Sequence, residues 1–100
     1  MAARFGDMLL EQRRRMGLSI QQVANTIKIR PQIIEFFENG NFASMPPRGY
    51  AQGMISSYAR FLGLNPREVV NAYFDDLMAY ERETSQQGGR FQDAAGYVNS

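Results

Sequence analysis

Few residues in this sequence are equipped for catalysis, and their spacing argues against it. There is no histidine and no cysteine. Imidazole bases, thiol nucleophiles, thiolate metal sites and His-ligated zinc are therefore all removed. Lys28 is the single lysine, and no base or pocket signature accompanies it. Asp75 and Asp76 are adjacent carboxylates. Neighbours on a helix point roughly 100° apart, so the two cannot close on a substrate as an acid–base pair. They read as a solvated acidic face. The expectation is a binding domain, not an enzyme, with no cofactor and no metal.

The charges that could recognise a partner are unevenly spread. Net charge is only +1, too balanced to imply nucleic acid by itself. Residues 1–30 carry Arg4, Arg13, Arg14, Arg15, Lys28 and Arg30 against Asp7 and Glu11, a net +4. Residues 68–83 carry five carboxylates against Arg82, a net −4. The chain is thus basic early and acidic late. The run Arg13–Arg15 reads as a solvated helix face, with Arg13 able to pair inside the domain.

These residues need elements to hold them. One hundred residues, 44% of them hydrophobic, suit a single domain with a modest core. Helical periodicity predicts five helices and an all-α, compact five-helix bundle. The first spans about Arg4 to Met16, with Phe5, Leu9 and Met16 on one face, and Gly17 ends it. Ser19 and Gln22 have capping-box spacing before a short helix over Ile20–Ile27. Arg30-Pro31 opens a third helix, with Ile34 and Phe37 facing inward, and Asn39-Gly40 stops it. A loop over Asn41–Pro47 follows, pinned by Phe42. Ala51, Ile55, Tyr58 and Leu62 form the apolar stripe of a fourth helix, Arg48–Leu62. Asn65-Pro66 with Glu68 opens a fifth, which fades around Arg82. Residues 1–83 form the expected domain, and residues 84–100, rich in Gln, Gly, Ser and Ala, read as a flexible, disordered tail. Apolar runs are short, as in Met8-Leu9-Leu10, far below the ~20 residues of a membrane span. The start lacks a signal-peptide stretch, and zero Cys fits a reducing compartment, so a cytoplasmic location is expected.

The second and third helices have helix-turn-helix spacing: Val23-Ala24, Ile27, Ile29, Ile34, Phe37-Glu38, Gly40. Ala24 is small where two helices cross, and Ile29 plugs the turn. A DNA-reading motif puts the start of its second helix into the major groove. The outward positions there are Arg30, Pro31, Gln32, Ile33, Glu35 and Phe36. Arg30 and Gln32 suit base or phosphate contacts. Pro31 has no donor, and Glu35 repels phosphate. Ile33 and Phe36 are large and apolar: they suit protein contact, or burial against the Phe42 loop or the fifth helix. DNA binding through Lys28, Arg30, Gln32 and Ile33 is the alternative reading, and nucleic acid is disfavoured.

The motif resembles the phage-repressor type of helix-turn-helix. Adding Phe5-Gly6 with Leu9 and Arg13, Gly17-Leu18-Ser19, Glu38-Asn39-Gly40-Asn41-Phe42 and the string Tyr50–Leu64 sharpens this. Over about residues 5–80 the chain resembles the cytoplasmic N-terminal domain of the RodZ family of bacterial cell-shape proteins. The resemblance implies an adaptor that docks on the actin-like filament protein MreB and ties it to the membrane. It implies a place on the cytoplasmic face of the inner membrane, reached through a segment absent from this chain. It also implies a protein-binding face on the fourth helix, carried by aromatic residues one turn apart near its start. Tyr50 matches the first, and Met54 stands in place of the second. Ser57 and Phe61 complete the expected protein-binding set.

Overall fold

In the computed structural model the backbone is described for residues 4–95 and the side chains for residues 4–85. Five α-helices and one 3-10 turn follow in order: α1 Arg4–Arg15, α2 Ile20–Ile27, α3 Pro31–Asn39, the turn Phe42–Ser44, α4 Arg48–Phe61 and α5 Pro66–Ala95. No strand occurs among the described residues. No described helix is long and apolar enough to cross a membrane.

Local chemistry sets most of these boundaries. Ser19 caps α2 reciprocally: its Oγ accepts from Gln22 N at 3.1 Å, and Gln22 Oε1 accepts from Ser19 N at 2.8 Å. α3 starts at Pro31 and ends at Gly40, whose φ of 69° is left-handed. There Asn41 N donates to Phe36 O at 2.9 Å, using a carbonyl the helix end would leave open. Asn65 Oδ1 accepts from Arg67 N at 2.9 Å and begins α5.

The core gathers one stripe from each helix: Phe5 and Leu9 from α1, Val23 and Ala24 from α2, Ile34 and Phe37 from α3, Ala51, Ile55 and Tyr58 from α4, and Val69, Ala72 and Tyr73 from α5. Gly6 lets α1 cross close over α3. A Cβ built there would lie 2.5 Å from Phe37 O and 2.6 Å from Glu38 O. Phe42 pins its loop as expected, with ring centroids 5.8 Å from Phe5, 6.2 Å from Tyr73 and 5.2 Å from Tyr80. α4 and α5 form an antiparallel hairpin, closed at the start of α4 by Arg48 Nη2 and Glu81 Oε2 at 3.2 Å.

Four expectations need correction. Met16 falls in the turn after α1, not on its core face, and is 45% exposed. Asp76 is half-buried, and its Oδ2 accepts from Phe5 N at 2.9 Å. A carboxylate from α5 thereby serves the positive end of α1, while Asp75 is exposed. Ile33, an outward position on α3 whose other reading is burial against the Phe42 loop or the fifth helix, is half-buried and packs on the core. Finally, α5 does not fade at Arg82 but continues to Ala95. No proline interrupts the chain after Pro66, so no backbone donor is lost from the helix there. The backbone of residues 84–95 continues α5, and residues 96–100 of the expected tail lie outside the described residues.

Candidate binding surfaces on the helix-turn-helix

Two surfaces compete, one on α3 and one on α4, and both helices contribute to a buried polar cluster. That cluster ties α1, α3 and α4 together. Glu38, 4% exposed, receives Arg13 Nε at Oε2 (2.8 Å) and Arg13 Nη2 at Oε1 (3.0 Å). Tyr58 also donates its hydroxyl to Oε2 at 2.5 Å. Arg13 Nη1 donates to Leu18 O at 2.9 Å, which secures the turn before α2. The forked guanidinium and planar carboxylate meet edge to edge, the strong bidentate geometry. Burial, reinforced by the adjacent Glu38 carboxylate, pushes the Tyr58 phenol far above its ordinary range. The hydrogen bond to Glu38 likewise raises Arg13 against the cost of its burial. Arg14 and Arg15 stay exposed, as the solvated-face reading had it. The cluster is a clamp: both ions are satisfied, and together they hold the motif in place.

The first surface is the reading side of α3. Lys28 caps the C-terminus of α2 in a left-handed conformation, φ 62°, with its N–H on Ala24 O at 2.9 Å. Lys28, Arg30, Gln32 and Glu35 are exposed, and Phe36 is half-buried. Of the four residues of the DNA alternative, three are thus exposed and Ile33 is half-buried against the core. Glu35 stands exposed beside them with the wrong charge for phosphate.

The second surface lies on α4. Tyr50, Met54, Ser57 and Phe61 recur at i, i+4, i+7 and i+11, which puts them on one strip beside the core stripe. Tyr50 is 69% exposed, the most exposed large apolar side chain among the described residues. Met54 and Phe61 are half-buried and pack on the core, and Ser57 is half-buried. Tyr50 therefore projects, while the other three form a shallower floor.

A third feature escaped the sequence reading. An open groove of ≈ 690 Å³ runs between α4 and α5, walled by Gly49, Gly53 and Ser56 and floored by Val70 and Phe74. Its signal was present as small residues at i, i+4 and i+7 on α4. Periodicity searches follow large apolar residues, so this flank passed as merely polar.

Comparison with known proteins agrees with the geometry. An uncharacterized protein of Haemophilus influenzae is 37% identical over 60 residues, covering 59% of this chain. The match covers 20% of that protein, so the chain corresponds to a small part of a longer relative. Among solved structures, YmfM from Staphylococcus aureus, described as a candidate DNA-binding membrane protein, superposes with a TM-score of 0.66 at 25% identity. That likeness covers 72% of this chain and 88% of YmfM. Residues 8–69, from the middle of α1 to the first turn of α5, match the helix-turn-helix domain family, and the chain belongs to that family.

Proposed function

We propose that this domain is a protein-binding adaptor of the RodZ type. It uses the helix-turn-helix as a scaffold and engages an actin-like filament protein of the MreB class through α4. The observation that carries this reading is Tyr50: a large aromatic, 69% exposed, in the first turn of α4 with Met54 one turn behind it. Exposed aromatics set above a packed floor are the usual anchors of protein interfaces, and Met fills a partner's pocket adaptably. The membrane link comes through chain outside these residues. The description of YmfM as a membrane protein and the greater length of the H. influenzae relative both support that arrangement.

DNA binding through Lys28, Arg30 and Gln32 is the second reading. It is favoured by their exposure and by the description of YmfM. Co-sedimentation of the domain with polymerised filament protein, alongside gel shifts at two salt concentrations, separates the two. Filament binding that falls on Tyr50→Ala and survives Arg14→Ala is expected. Sequence-specific DNA binding with a steep salt slope, lost on Arg30→Ala, overturns the order.

A further inference from the structure

The groove between α4 and α5 has a shape and a charge that the strip at Tyr50 does not explain. Glycine is costly inside a helix, roughly 0.5–1 kcal/mol relative to alanine. Yet Gly49 and Gly53 both lie within α4, and neither is required by contact: a Cβ on either meets nothing within 4 Å. The space they leave is open and faces Val70 and Phe74. Met78, one turn beyond Phe74 on α5, is 60% exposed. From Gly49 to Ser56 the wall rises about 10 Å, or two helical turns.

The charge lies at the end near the α4–α5 connection. Arg67 lines the groove. Arg60 sits one turn beyond Ser56 on the same flank of α4. Both are exposed, and neither forms an ion pair among the described residues. The first turn of α5 brings the positive end of its dipole there, with Glu68 on the neighbouring flank. At the opposite end Arg48 is already engaged by Glu81. The groove thus joins an apolar floor to an end where Arg60 and Arg67 outnumber the single carboxylate Glu68, and its glycine wall adjoins Tyr50 directly.

We infer that this groove docks an acidic amphipathic helix of the protein partner, with bulky apolar side chains over Gly53 and Phe74 and carboxylates against Arg60 and Arg67. The inference rests on the protein-binding reading of α4 and enlarges its footprint from one strip to two. Close approach over glycine lets the partner's backbone near α4, and Gln52, Ser56 and Asn71 supply hydrogen bonds at the rim.

The test uses the whole chain and a fluorescein-labelled helical peptide with Leu at i, i+4 and i+7 and Glu on the flanks. The comparison peptide carries Gln in place of Glu. Anisotropy titration should show the Glu peptide bound, and the Gln peptide several-fold weaker. Gly53→Leu, which fills the groove, and Arg67→Glu should each weaken binding about tenfold, with Arg14→Glu as the neutral control. Thermal melts establish folding, and Gly53→Leu should melt no lower than the wild type because it replaces a helical glycine. Equal binding of both peptides, or variants within twofold of the wild type, overturns the inference. So does a dimer in sedimentation that Gly53→Leu splits, since a second copy then fills the groove. The same variants are then titrated with monomeric filament protein. Weakening by Tyr50→Ala alone refutes the groove and leaves the filament reading standing. Weakening by the groove variants alone refutes the role of Tyr50 and leaves the groove.

Discussion

Glu38→Ala is the perturbation that most sharply tests how the domain is held together. The carboxylate is 4% exposed and accepts from Arg13 at 2.8 and 3.0 Å and from Tyr58 at 2.5 Å. Its removal leaves a guanidinium of 13% side-chain exposure with Leu18 O as its remaining protein acceptor. It also leaves a fully buried phenol without its acceptor. Removing one partner of a buried ion pair costs about 3–5 kcal/mol. A domain of this size holds roughly 0.05–0.15 kcal/mol per residue, so such a loss is a large share of its stability. At about 4–8 °C per kcal/mol, even the smaller figure lowers Tm by about 12 °C or more. Urea and thermal unfolding followed by helical circular dichroism measure it. The triple variant Arg13→Met, Glu38→Leu, Tyr58→Phe should recover most of the loss, because apolar replacement removes the unpaired charge along with the pair. A loss under about 1 kcal/mol for Glu38→Ala refutes the clamp, because surface pairs are worth no more than that.

Three further outcomes follow from the same packing. Gly6→Ala should destabilise by about 2 kcal/mol in urea melts, since its Cβ meets the Phe37 and Glu38 carbonyls at 2.5 and 2.6 Å and helices must shift apart; an unchanged midpoint contradicts the close crossing. The Tyr58 phenol is held above its ordinary value near 10 in the folded state, so above that pH the unfolded chain loses its proton first and stability falls as pH rises. Tyr73 is shifted the same way by burial, so the comparison is with Tyr58→Phe, whose stability profile should be flatter above pH 10; parallel profiles contradict the shift. Lys28→Gly should raise stability by about 0.5–1 kcal/mol, because Lys28 holds φ 62° and glycine adopts that conformation freely.

Much of this fold is legible in the sequence because its boundaries are local events. Ser19 with Gln22, Pro31, Gly40, and Asn65 with Pro66 each announce a cap within four residues, and the structure uses each of them. The apolar stripe Ala51, Ile55, Tyr58 and Leu62 is buried throughout. What escaped was non-local. Asp76 meets Phe5 across 71 positions, and no spacing rule links them. Arg13 was read as able to pair, but Glu38 as its partner, 25 positions away, needed α1 laid over α3. Ile33 looked outward on a helix taken alone, and packing drew it into the core. α5 outran its expected end because composition signalled a tail while no proline stopped the helix. On α4, the strip at Tyr50 came from family resemblance and the groove from neither pattern nor resemblance, since small residues carry no hydrophobic signal.

The central claim is that the working surface lies on α4 and the reading helix α3 is scaffold. The most direct measurement is amide chemical-shift mapping of the labelled domain on addition of a polymerisation-blocked MreB-type protein. Perturbations centred on Gly49, Tyr50, Gly53, Met54 and Ser57, absent in Tyr50→Ala, are predicted. Perturbations centred on Lys28, Arg30, Gln32 and Phe36, with α4 silent, contradict the claim.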